Sequence, residues 1–257
     1  MACFPQLLTG ALSQYPIRKS TTCRTIRNQC LDGREIKLAD SAGSAIEWTL
    51  TFQELIDDEV GALRDFFVSM EGSLGTFTFL DPTDNLLAWS EKFDQSVWQK
   101  DPLLQLSSGV ADPSGGCCAF HLMNSGGAPQ RLKQTLDVPG GYYYSFSLWV
   151  RGQAGTVNLV RGVETAVRSV GPDWSRLDFA SASGGGGQTV EFGIELGPGA
   201  AVDLFGAQVE AQIGASNYKK TTSRAGVYEC CRFVDGGLVL STVGPGRHGC
   251  VVRLRAH

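Results

Sequence analysis

The segment Gly72–Glu91, GSLGTFTFLDPTDNLLAWSE, decides how the rest of the chain divides. Phe77 and Phe79 alternate with Thr76 and Thr78, the period of a half-buried strand. Asp81-Pro82 stops that strand, because proline lacks the ladder N–H and pushes the residue before it away from the helical region. Asn85-Leu86-Leu87 then opens a new apolar run, and Trp89 and Trp98 bracket a polar stretch. A framework precedes this seam, an insert follows it, and the framework pattern returns near the C-terminus.

Upstream, Tyr15-Pro16 reads as extended chain and Thr21–Arg27 as a strand. Asp32-Gly33 is a hairpin turn leading into Glu35–Leu38, and Ser41–Ser44 reads as the next turn. Ile46, Trp48, Leu50 and Phe52 alternate with polar residues and form the clearest strand. Val60, Leu63, Phe66, Phe67 and Met70 recur at spacings of three and four, which places them on one face of a helix. Asp57 or Asp58 is expected to cap its start, and Gly72 to end it in a left-handed conformation.

Downstream of Asn85 the texture changes. Short apolar segments follow one another with Gly, Pro, Ser or Asp clusters between them. The expected strands are 103–106, 118–123, 131–136, 142–151, 156–160, 176–179, 189–196 and 202–211, with Ser183–Gly187 as a flexible loop tip. This many strands without a helix argues for a two-sheet jelly roll. After Ile213, strands at 227–233, 237–243 and 249–255 are too few for a domain of their own and are expected to complete the first sheet. The expected organisation is therefore a mainly β chain. Residues 1–84 and 213–257 form a discontinuous sandwich or barrel-like domain with one packed helix, and 85–212 an inserted jelly roll.

Composition narrows the function. The chain has 257 residues, is 42% hydrophobic and 19% charged, and carries a net charge of −4, which fits a globular protein and argues against nucleic-acid binding. The first residues lack a basic region followed by a long apolar run, and no stretch is apolar enough to span a bilayer, so synthesis in the cytoplasm without membrane insertion is expected. Eight cysteines include no CxxC pair, and reduced, mostly buried thiols are expected.

No GxSxG, GxxxxGK[ST] or HExxH occurs. His121, His248 and His257 have no metal-ligand spacing, so no catalytic, metal or cofactor residues are assigned and no enzyme activity is expected. Glu191 and Glu195 share one strand face, where a solvated surface explains them better than acid–base chemistry. Aromatic residues carry the binding expectation. Tyr142-Tyr143-Tyr144, Phe146 and Trp149 put rings on both faces of one strand. One face is core, and the other either packs beneath a loop or stacks on sugar rings. The candidates for carbohydrate contact are Trp89, Trp98, Tyr142 and Tyr144, while Trp174 reads as core.

Ordered segments carry a family resemblance. FPQLLTGALSQYP, IEWTLTFQELIDDEVGALRDFF, GTFTFLDPTDNLLAWSE and the C-terminal GVYECCRFVDGGLVLSTVGPGRH resemble phage and prophage distal-tail (baseplate hub ring) proteins and their gene-transfer-agent relatives. The insert, from NLLAWSEKFDQSVW to VDLFGAQVEAQIGASNYKKTT, resembles the galactose-binding-like, carbohydrate-binding jelly rolls of tail proteins. The resemblance implies a hexameric ring in the virion tail. Its partners would be a tail tube protein, a baseplate hub protein and a host cell-surface polysaccharide. The competing readings are a minor tail or adaptor protein of other stoichiometry and an accessory module of a carbohydrate-active enzyme.

Overall fold

The computed structural model describes residues 2–8, 14–182, 186–223 and 225–256. Residues 9–13 of the segment FPQLLTGALSQYP, 183–185 of the glycine-rich loop and His257 lie outside the described residues. The chain is mainly β and folds as two compact units, Met1–Phe79 with Tyr228–His257, and Leu80–Val227.

The first unit is built on a six-stranded sheet of order β1-β2-β16-β14-β3, with β15 on the edge of β16. These strands are β1 (Ile17–Gln29), β2 (Glu35–Leu55), β3 (Phe77–Leu80), β14 (Val227–Phe233), β15 (Leu240–Gly244) and β16 (Arg247–Ala256). Trp48, Leu50 and Phe52 of β2 and Val252 and Leu254 of β16 point inward, as their alternation requires. Against them lie Phe4, Phe77, Phe79 and Phe233, with Phe4 edge-on to Phe66 at 5.8 Å and Phe77 5.0 Å from Phe233. Helix α1 (Asp57–Ser69) contributes Val60 and Leu63 to this core.

The helix start differs from expectation. Neither Asp57 nor Asp58 is the cap: Ile56 holds the N-cap position, and the Glu59 carboxylate reaches back to accept its N–H at 3.2 Å. Both aspartates lie instead inside the first turn, where the helix dipole favours negative charge. At the other end Gly72 has φ +65° and its N–H donates to Phe67 O at 3.0 Å.

Ser41–Ser44 is not a turn, because β2 runs straight through it. The register of β1 against β2 jumps there, from Thr22 opposite Ala45 to Arg24 opposite Asp40, so these residues form a bulge. A Cβ on Gly43 would sit 2.6 Å from the Arg24 Cβ, which is why a glycine stands at this close approach. Beyond the bulge the two strands continue as an arm, closed by the Asp32-Gly33 turn, in which Gly33 has φ +83°.

The second unit is a jelly roll of two antiparallel five-stranded sheets. One has the order β10-β9-β12-β7-β4 and the other β11-β8-β13-β6-β5. Their ranges are β4 (Gln99–Lys100), β5 (Leu104–Val110), β6 (Ala119–Asn124), β7 (Gln130–Leu136), β8 (Tyr143–Gly152), β9 (Gly155–Arg161), β10 (Glu164–Val170), β11 (Ser175–Ala182), β12 (Val190–Leu196) and β13 (Ala201–Glu210). Leu132, Phe146, Leu148, Phe192, Ile194 and Leu204 are buried between the two sheets.

The segments at the two ends of this unit are tied together. Buried Asn85 donates to Ala207 O and Lys219 O and accepts from the N–H groups of Leu87 and Val209, at 2.9–3.1 Å. Trp89 N donates to Thr222 O at 2.7 Å, and Thr221 N to Ser90 Oγ at 2.9 Å. These bonds carry the unit past Gln212 to Thr222, within the compact unit Leu80–Val227.

Thiol burial also departs from expectation. Only Cys231 and Cys250 are buried, while Cys23, Cys117 and Cys230 are exposed. Cys230 and Cys231 are neighbours in β14 and so point to opposite faces of the sheet.

Candidate functional site

Strand β8 sets the geometry. Tyr144, Phe146, Leu148 and Val150 form one continuous apolar row and are buried, so Ser145, Ser147, Trp149 and Arg151 face outward. Neighbouring strands align with this row. Asp203 of β13 lies opposite both Arg151 and His121 of β6, and Phe205 and Arg176 lie opposite Trp149. A bulge at Gly206 (φ +62°) brings Gln208 and Glu210 back onto the outer face, opposite Ser147 and Ser145.

This outer face has two halves. In one half the chain covers its own polar residues. Arg176 Nη1 donates to Ser216 O at 2.6 Å and Nη2 to Ser147 Oγ at 2.9 Å. Burial pulls the Arg176 pKa below its usual value. Fully buried Glu210 accepts from Ser216 N at 2.8 Å and from Lys219 Nζ at 2.7 Å, and Lys219 N donates to Gln208 Oε1 at 2.6 Å. Tyr218 packs on Phe205, and a Cβ on Gly206 would lie 3.1 Å from its ring, so the bulge glycine makes room for it. The Tyr218 hydroxyl meets Ser90 Oγ at 2.8 Å and donates to Glu91 at 3.2 Å, and burial raises its pKa well above the phenol range.

The other half is open. Asp203 accepts from Arg151 Nε at 2.9 Å and pairs with His121 Nδ1 at 2.8 Å. The Arg151 guanidinium stacks over the Trp174 ring at 4.8 Å from its centroid. The His121 side chain is 43% exposed and that of Arg151 30%, and Trp149 and Trp174 are half-buried. Neither the Arg151 terminal nitrogens nor His121 Nε2 bonds to a described residue. The Trp174 ring therefore stands beside outward donors and the Asp203 acceptor, while Trp149 lies at the border with the covered half, opposite Phe205 and Arg176. That combination suits a ligand with alternating C–H faces and hydroxyl groups.

The four residues singled out in the sequence do not build this site. Trp98 is 6% exposed, rests on Phe93 at 4.9 Å and donates Nε1–H to Trp89 O at 3.1 Å. Tyr144 is fully buried, edge-on to Phe192 at 5.4 Å, with its hydroxyl donating to Pro139 O at 2.8 Å. Both are core residues, out of reach of a ligand, because their positions fall on inward faces. Trp89 and Tyr142 are half-buried, Trp89 with φ +53° in the segment before β4 and Tyr142 just before β8. Trp174 is not the core residue expected, since it precedes β11 and lies under Arg151 at the surface.

The carboxylates considered for acid–base chemistry are engaged. Glu191 accepts from Lys133 Nζ, and Glu195 from Arg131 Nε, both at 2.6 Å, with Asn158 donating to Glu195 at 2.8 Å. Burial pushes the Glu195 pKa up, but the bonds from Asn158 and Arg131 outweigh it and hold the group below the usual range. Among the described residues, no three His, Cys, Asp or Glu side chains gather closely enough to hold a metal ion.

No protein-family model matches this chain, and no curated protein matches it in sequence. Among solved structures it is similar to the enzymatically active domain of bacteriophage CBA120 tailspike protein 4, at TM-score 0.40 and 15% identity over 51% of this chain and 22% of that one. It is also similar to the CBM22-1 xylan-binding domain of Paenibacillus barcinonensis Xyn10C, at TM-score 0.41 and 15% identity, covering 52% of this chain and 97% of that one. A third is TmCBM61 in complex with beta-1,4-galactotriose, at TM-score 0.37 and 13% identity, over 49% and 97% of the two chains. The chain spans about a fifth of the length of the tailspike structure.

Proposed function

We propose that this chain is a structural component of a phage or phage-like tail tip. In this reading it forms a ring joining the tail tube to the baseplate hub, and the Leu80–Val227 unit binds host-surface glycans. The open half of the sheet face carries the adhesive part of this reading, with Trp174 under Arg151 and Asp203 joined to both Arg151 and His121. The segments resembling distal-tail proteins support the place in the tail. In this reading the protein acts by holding and adhering, and Glu191 and Glu195 serve as partners of Lys133 and Arg131. Each site need bind only weakly, because a ring presents several copies to one cell surface and later contacts are intramolecular.

Glycan-array screening of the full chain, followed by calorimetry on the best ligand, tests the adhesive part. Binding that Trp174→Ala and Arg151→Ala abolish is expected. A chain that binds no host-wall polysaccharide has no adhesive role. Negative-stain imaging tests the assembly part, since trimers or monomers would place the protein elsewhere in the tail.

A further inference from the structure

The open half of the β8 face lies along one cross-strand row. Arg151 of β8 stands opposite Asp203 of β13, Asp203 opposite His121 of β6, and His121 opposite Ser107 of β5. Asp203 joins its two neighbours: one carboxylate oxygen accepts from Arg151 Nε at 2.9 Å, and the other meets His121 Nδ1 at 2.8 Å. The second contact fixes the imidazole. A carboxylate can only accept, so Nδ1 carries the hydrogen, and in the neutral ring Nε2 is left as a bare acceptor. Nε2 has no partner among the described residues, on a side chain that is 43% exposed. The row therefore presents donors, at the Arg151 terminal nitrogens, and an acceptor, at His121, on the two sides of one carboxylate.

Charge along this row is balanced. Arg151 and Asp203 offset each other, β5 has no charged side chain, and Asp173, exposed next to Trp174 in the chain, adds a negative charge. A uronate or phosphate group meets no excess of positive charge here, and it brings no hydrogen to Nε2. Sugar hydroxyls serve both ends: one O–H donates to Nε2, and another oxygen accepts from Arg151.

We infer that His121 sets the specificity of this site: held by Asp203, its Nε2 accepts a hydrogen bond from a hydroxyl of a neutral glycan that Arg151 also binds. The inference rests on the adhesive reading above and names what that site takes. It also carries a sign. Histidine is the side chain that gains its second proton between pH 8 and about pH 5. Of the neighbouring strands, β13 places Asp203 against His121, β8 places Arg151 beyond it, and β5 brings only Ser107. A protonated His121 has donors alone and cannot accept the hydroxyl, so a neutral glycan is held less well on acidification. An anionic glycan would show the reverse, drawn by a charged His121 beside Arg151.

Nitrogen-15 NMR of the histidine-labelled full chain at alkaline pH, with His121→Gln identifying the His121 signals, reads the ring directly. Nδ1 is expected to be the protonated nitrogen, and a ring protonated at Nε2 overturns the inference. The full chain is then screened at about pH 8 and about pH 5 on an array of neutral glycans, β-1,4-galactotriose and xylohexaose among them, beside uronate- and phosphate-bearing ones. Neutral glycans should bind at the higher pH and about tenfold more weakly at the lower. His121→Phe, a ring without an acceptor, should bind weakly at both. His121→Gln, whose amide oxygen can replace Nε2, should bind like the parent at the higher pH and keep that affinity at the lower, which decides the matter even if the Phe variant is less stable. Neutral-glycan binding that ignores both pH and His121→Phe, or a preference for the acidic glycans, overturns the acceptor role and leaves the adhesive reading standing. A chain that binds no glycan at either pH overturns both.

Discussion

The covered and open halves of the β11-β8-β13-β6-β5 face start from similar chemistry and end differently. Both hold an arginine, an acidic residue and aromatic rings: Arg176, Glu210, Phe205 and Tyr218 in one, Arg151, Asp203, Trp149 and Trp174 in the other. In the covered half the segment Ser216–Lys219 bonds to Arg176, Gln208 and Glu210, and Glu210 is sealed from water. In the open half Nε of Arg151 and Nδ1 of His121 meet Asp203, and among the described residues the other nitrogens of these two side chains have no partner. Side-chain type alone therefore does not make a binding surface. Whether the chain returns over the residues does.

That contrast breaks down if the covered half is not structural, and Glu210→Ala is the severest test. Removing one partner of a buried, hydrogen-bonded ion pair leaves Lys219 and the N–H of Ser216 without their acceptor, a loss of about 3–5 kcal/mol. Chemical denaturation should show a much lower midpoint. An unchanged midpoint would mean that the returning segment does not hold the face shut. The open half should behave in the opposite way. Arg151→Ala removes a half-buried pair with Asp203 and the contact with Trp174, so stability should fall by about 1 kcal/mol, while glycan affinity should fall about tenfold, or ~1.4 kcal/mol. Calorimetry and thermal melting on one sample separate the two effects.

Much of this arrangement was legible in the residues. The period of two along β8 was legible but its parity was not: Tyr144 reads as a carbohydrate candidate in the sequence, and only in the fold does the row Tyr144-Phe146-Leu148-Val150 turn inward and leave Trp149 and Arg151 outside. The seam at Asp81-Pro82 and the helix face of Val60 and Leu63 were legible for the same reason: local period determines them. Trp174 was not legible, because a tryptophan beside a turn carries no parity, and its exposure depends on Arg151 from another strand. Strand β10 has no clear mark in the sequence, because Glu164–Val170 is a polar edge strand with little inward apolar signal. The Ser41–Ser44 bulge has the composition of a turn, and the β1 pairs on either side of it, at Ala45 and Asp40, are encoded elsewhere in the chain. The cover of Ser216–Lys219 over Gln208 and Glu210 follows from a loop path that no local pattern encodes.

Tyr218 gives the smallest effect and the sharpest view of the covered half. Burial raises its folded-state pKa above the ordinary phenol value of about 10, so the folded chain keeps the proton that the unfolded chain gives up. The stability this contributes is complete below pH 10 and is lost as pH climbs from there toward the raised folded value. Tyr218→Phe keeps the ring on Phe205 but removes the hydroxyl from Ser90 and Glu91, at a cost of about 1 kcal/mol near neutrality. It should also flatten the alkaline decline, so that parent and variant converge as pH passes 10. Melting curves between pH 8 and 11 check this. Parallel declines would mean that water reaches the phenol, and with it the half of the face described as sealed.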